Sequence, residues 1–182
     1  MAKRILTVFC CFLLSVGAIS CTSFKSRHYA GEMMLLTEED ISAETIWKIG
    51  DSVYFVRMVG EGTIVAATLN WDEDKGAYAM QAHELVPSKI GDHRFMNVKD
   101  GDYYTILRLV GAGEDEVVLL TVDKDKLEKD MAEGLLQAHK EDGDIVMDGT
   151  KEALDRYIGS HIETLFALDA AGVARLIAGE LK

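Results

Sequence analysis

Ser52-Val53-Tyr54-Phe55-Val56-Arg57-Met58-Val59, then Gly60-Glu61-Gly62, then Thr63-Ile64-Val65-Ala66-Ala67-Thr68-Leu69-Asn70-Trp71, is the stretch that decides the fold. Both flanks are dense in β-branched and aromatic residues, and three residues with glycine join them, which predicts a β-hairpin. Working outward, Asp72–Gly76 is a turn and Ala77–Val86 a strand that Pro87, the only proline, is expected to end. His93–Val98 is a short strand, and Lys99-Asp100-Gly101-Asp102 is a strong turn. Tyr103–Val110 and Glu116–Val122 then flank a glycine-containing loop as another hairpin. Successive strands with tight turns, and no long helix between them, predict an antiparallel meander. Val53–Val59 and Ile64–Leu69 are apolar at nearly every position, so both faces of the sheet are expected to be covered at its middle.

The period changes after Lys124. Leu127, Met131, Leu135 and Leu136 fall at helical spacing on a charged segment that runs to Lys140, with Gly134 as a candidate break. Asp144–Met147 reads as a short strand. Thr150 can cap a second helix, whose apolar stripe is Ala153, Leu154, Tyr157, Ile158, His161 and Ile162. Val173–Ala178 fits a last strand, although Asp169–Leu181 fits a helix equally well. The expected fold class is α+β: an antiparallel β-meander of about six or more strands, curled or closed to a half barrel, with one or two C-terminal helices packed on it. No internal repeat or low-complexity linker divides residues 31–182, so they form one expected domain.

The chain carries 31 acidic against 19 basic residues, a formal net charge of −12. Such a chain repels phosphate backbones and anionic bilayers, so no nucleic-acid partner is expected. Its three cysteines, Cys10, Cys11 and Cys21, all lie near the start, so no disulfide can staple the domain.

Sites of chemistry are sparse. His28, His83, His93, His139 and His161 show no metal-ligand spacing, and His161 sits on an apolar stripe where a satisfied core histidine is the ordinary outcome. Asp123-Lys124-Asp125-Lys126-Leu127 and Asp142-Gly143-Asp144-Ile145-Val146 each place an apolar residue at the third ligand of a calcium loop. Gly60-Glu61-Gly62 and Gly111-Ala112-Gly113 lack the third glycine and following helix of a phosphate loop. No nucleophile elbow exists, and Ser160 and His161 are helix neighbours that point apart. No catalytic residue, metal or cofactor is therefore assigned. Tyr54, Phe55, Tyr78, Phe95, Tyr103 and Tyr104 fall in strands, where core packing is the default. A lipocalin-like pocket would make some of them ligand-lining, but that family's Gly-x-Trp is absent: Thr45 stands two residues before Trp47.

The first residues carry an address. Lys3 and Arg4 precede an uncharged run from Ile5 to Ser20, the layout of a secretory signal peptide over residues 1–20 and rather short for a membrane span. Gly17-Ala18-Ile19-Ser20-Cys21 resembles the lipobox of bacterial lipoproteins, with Ala18 where that family usually has Leu. The resemblance implies cleavage before Cys21, acylation of its thiol and lodging in the bacterial cell envelope, on the periplasmic side of the outer membrane if the host is Gram-negative. Ordinary cleavage after Ser20 is the alternative. Residues 21–30, with Lys25, Arg27 and His28, read as the lipidated N-terminus and a solvated tether. From Thr45 to Phe166 the order of Trp, meander, helix and capped helix is similar to domains of uncharacterised bacterial envelope proteins. The expected function is a membrane-anchored, non-catalytic binding or structural lipoprotein, its partners being membrane lipid through Cys21 and another envelope protein. The alternatives are a barrel-like pocket for a small apolar ligand and a hydrolase with a dispersed site.

Overall fold

The computed structural model of the protein describes residues 23–36, 44–60, 62–111 and 115–178, with the backbone alone over 167–171. The leader, Cys21 and the tips of two expected turns lie outside the described residues. Strands β3 (Glu44–Ile49), β4 (Ser52–Gly60), β5 (Thr63–Asp72), β6 (Ala77–Ile90), β7 (His93–Asp100), β8 (Tyr103–Gly111) and β9 (Glu116–Val122) form the expected meander, each antiparallel to the next. The chain then makes helix α1 (Lys124–Ala132), hairpin β10 (Ala138–Glu141) and β11 (Asp144–Met147), helix α2 (Lys151–Leu165) and strand β12 (Phe166–Ala178).

The sheet closes, which corrects the expected half barrel. Strand β12 pairs with β3 through Ala174↔Ile49 and with β9 through Ala174↔Val117, while β8 pairs with β9. The result is an eight-stranded barrel. The helical alternative for 169–181 is thereby overturned over its described part: two strands with bare edges flank this segment, and their unpaired backbone groups outweigh its weak local preference.

Strand β6 does not stop at Pro87. Met34 N–H donates to the Pro87 carbonyl at 2.9 Å, in register with the short strand β2 (Glu32–Met33), which pairs Met33↔Ser88. A strand residue directs its N–H and C=O to the same side, so the proline nitrogen faces away from β7 and the β6–β7 ladder loses no bond.

Helix α1 is shorter than its apolar spacing implies. Gly134 adopts φ +73°, Leu135 N–H donates to Asp130 O at 2.8 Å and Gly134 N–H to Met131 O at 3.1 Å, which closes the helix as a Schellman motif. Leu136 is buried beyond the break and Leu135 is exposed. Helix α2 matches its expected stripe: Thr150 accepts from Ala153 N–H, and Leu154, Tyr157, Ile158 and Ile162 are buried.

The expected tether is also corrected over its described part. Strand β1 (Phe24–Ser26) lies parallel to β11 and antiparallel to β8, and Phe24 is 1% exposed. Asn97 accepts from Ala30 N–H at 2.8 Å and donates to the Val86 carbonyl and the Ser88 hydroxyl, so the segment is stitched to β6 and β7. Alternation explains this: the apolar and small residues Phe24, Ser26 and Ala30 turn inward, while Arg27 and His28 face water.

One continuous apolar core lies outside the barrel wall rather than within it. Phe24, Phe95, Ile106, Leu127, Ile145, Leu154, Ile158 and Leu165 are all within 1% of full burial, between the outer faces of β7 and β8 and the two helices.

Candidate functional site

The strand registers assign each side chain to the lumen or the outer wall, because paired residues share a face. One inward row runs Trp47↔Tyr54 and, two residues on, Thr45↔Val56↔Ala66↔His83. Another runs Met58↔Ile64↔Leu85↔Val98↔Thr105, and next to it stand Pro87↔Met96↔Leu107. Leu109↔Leu119 and Val117↔Ala174 complete the ring. The lumen is therefore lined almost wholly by apolar side chains.

Its packing differs from that of the helix-covered side. Tyr54, Val56, Met58, Leu85, Met96, Val98, Leu107, Leu109, Val117 and Leu119 stay half-buried although they point into a closed barrel, whereas Ile64, Ala66, Pro87 and Ala174 on the same face are buried. A packed core leaves few voids larger than a water molecule, and these side chains keep an accessibility that such packing removes. Small residues at Ala66, Ala174 and Gly172 widen it. The polar groups are few, and Trp47 Nε1–H is already taken by Thr45 Oγ1 at 2.9 Å. At the end of the Leu85, Pro87 row the next residue on the same face is Lys89, which pairs with Arg94 and, through it, with Leu109. Both cations are exposed, and neither makes an ion pair among the described residues. The lumen is thus apolar, with two exposed cations at its rim.

The histidines are held by other contacts. Arg108 Nη2 lies 3.1 Å from His93 Nδ1 and 3.3 Å from Glu163 Oε1, so the carboxylate nearest His93 already has a guanidinium partner. His139 sits 2.8 Å from Asp148, whose hydrogen bond lifts the imidazole above its ordinary value. His161 bonds the Tyr157 carbonyl, and His83 lines the lumen. Asp130, 1% exposed, is clasped by Lys126 and by Tyr157 Oη at 2.7 Å. Burial alone would raise its carboxyl, but those two hydrogen bonds outweigh it and hold the group below the usual range. The same burial and bond push the Tyr157 phenol upward. This cluster ties α1 to α2. Among the described residues no group of three or more His, Cys, Asp or Glu is placed to share a metal ion.

Of the strand aromatics, Phe95 is core, whereas Phe55 and Tyr78 stand on the outer wall at 55% and 71% exposed, which corrects their reading as packing residues. The middle of the sheet is likewise not covered on both sides: Val53, Phe55, Val59, Leu69 and Met80 face out and remain exposed. Sequence reasoning missed Lys89 and Arg94. The only signal for them was a period-2 count carried through Pro87, where the strand was expected to end. Comparison with known protein families, curated proteins and solved structures finds no match to this chain.

Proposed function

We propose that the domain is a non-catalytic binding module that holds a single-chain amphiphile, such as a fatty acid, with its hydrocarbon in the barrel and its anionic head at Lys89 and Arg94. The observation that carries this reading is the half-open state of most of the inward apolar side chains, Tyr54, Met58 and Leu107 among them, beside a helix-covered core that is fully closed. Burying one CH₂ is worth about 0.8 kcal/mol, so a long acyl chain supplies ample affinity without further polar contacts. The lipobox-like leader supports a companion reading, in which Cys21 is acylated and holds the module at a bilayer of the cell envelope, near a source of such ligands.

Native mass spectrometry of the protein purified from its host is expected to show a co-purifying apolar ligand. Leu107→Trp should fill the lumen and displace a fluorescent fatty acid while leaving thermal stability nearly unchanged. Reversing both cations, Lys89→Glu with Arg94→Glu, should weaken a fatty acid at least tenfold and leave the matching fatty alcohol unaffected. Failure to bind either probe sinks the ligand reading. For the anchor, Cys21→Ala is expected to yield uncleaved or released protein, and unchanged processing and membrane retention would overturn acylation.

A further inference from the structure

Two neighbouring features of the outer wall have no cover among the described residues. The first is an arm. Pairing of β4 with β5 reaches only Phe55↔Ala67, and pairing of β6 with β7 starts at Leu85↔Val98, so among the described residues Thr68–Asp72 and Ala77–Gln81 are bonded to each other alone. The outer face of this two-stranded arm carries Leu69, Trp71, Tyr78 and Met80, at 58%, 55%, 71% and 73% exposed, with Trp71 and Tyr78 edge to face at 5.2 Å. An isolated ribbon is only marginally stable in water, and its bare, apolar edge lacks the lysines and prolines that usually protect one. The second feature is a groove of about 700 Å³ on the outer wall beside the arm, lined by Ile46, Phe55, Val59, Val65 and Ala67. Met80 belongs to both.

We propose that this face is a two-fold homodimer interface in which the arm of each copy lies in the groove of the other. A two-fold contact needs a surface complementary to itself, and a ridge beside a depression of the same chemistry is one. The size fits: the exposed apolar side chains of arm and groove amount to roughly 800 Å² per copy, what one partner of a standard interface contributes and more than a monomer ordinarily leaves bare. Charge leaves room for a second copy at the groove, where Lys48 and Arg57 offset Glu44 and Glu84, while the turn at the arm's tip, with Asp72, Glu73 and Asp74 against Lys75, keeps an acidic excess. Glu44 and Arg57, both more than 70% exposed and 3.8 Å apart, can exchange partners across the axis.

The full chain carrying a photo-crosslinking phenylalanine analogue at Tyr78 tests this in its host. The expected product is a dimer in which Tyr78 of one tagged copy is joined to the peptide around Phe55 of a differently tagged copy. Products with lipid or with other proteins alone would overturn the proposal. In the same assay Arg57→Glu and Glu44→Arg should each lower self-crosslinking at least tenfold, and mixing the two variants should restore it as a heterodimer. Because recovery on mixing requires both chains to be folded, an absence of recovery also counts against the interface.

Discussion

Asp130 shows at the scale of one residue how the helices are locked. Its carboxylate is 1% exposed and shared by Lys126 and Tyr157, so Asp130→Asn leaves a partly buried ammonium without its counter-charge and should cost about 2–3 kcal/mol in chemical denaturation. The pH dependence has a definite sign. The folded carboxyl lies below its unfolded value of 3.8, so its contribution is complete above that pH and is lost as pH falls through the folded value. In the Asn variant this part of the acid-side loss disappears. His139 runs the other way. Asp148 raises its imidazole above 6.5, so that contribution is complete below 6.5 and fades as pH rises through the higher, folded value. Asp148→Asn should flatten stability over this near-neutral window in titration-coupled melts; an unchanged slope would mean that the pair contributes nothing.

Elements were legible in the sequence to the degree that their preferences are local. The hairpins on either side of Gly60–Gly62 and Asp72–Gly76 announce themselves through β-branched runs and turn residues, and Thr150 with its stripe announces α2. Strand β1 could not be read this way. Phe24-Lys25-Ser26 is short and carries a charge, and its partners, Ile145–Met147 and Tyr104–Thr105, lie far away in the chain. Its importance is testable: Phe24→Ala empties a site against Tyr157, 6.3 Å between ring centres, and should cost about 3–5 kcal/mol in equilibrium unfolding. Thr150→Ala removes one cap and should cost about 1 kcal/mol. Equal losses would return Phe24 to a solvated spacer. The barrel rim was illegible for a related reason, since Lys89 and Arg94 acquire a shared face only once β6 is known to continue through Pro87.

For the whole molecule, closure depends on the last strand. β12 joins β3 to β9, so Ile49 and Val117 both meet Ala174 and the contacts that seal the barrel span most of the chain. Such non-local pairing makes folding slow, on the order of milliseconds to seconds, because loop closure must precede it. A chain ended after Leu165 should retain α2 but lose the cooperative unfolding transition and expose the edges of β3 and β9; a sharp melt from that truncation would show that the barrel does not need its seal. The sequence of β12 hides this role. Rich in alanine and with only Val173 and Ile177 β-branched, it takes its conformation from the two edges it must satisfy.

The docking of β1 has a mechanical consequence. Ser23 N–H is held by Asp144 Oδ1 at 2.8 Å, and Ser23 O accepts from Ile145 N–H. Fully extended, the two steps from Cys21 to Ser23 span about 7 Å. An acylated Cys21 would therefore leave the barrel at most about 7 Å of slack, so that it would stand close to the bilayer with a narrow range of poses. A load applied between bilayer and barrel would run along β1 and shear its hydrogen bonds to β8 and β11 together, the direction in which paired strands resist most, instead of unzipping them one at a time.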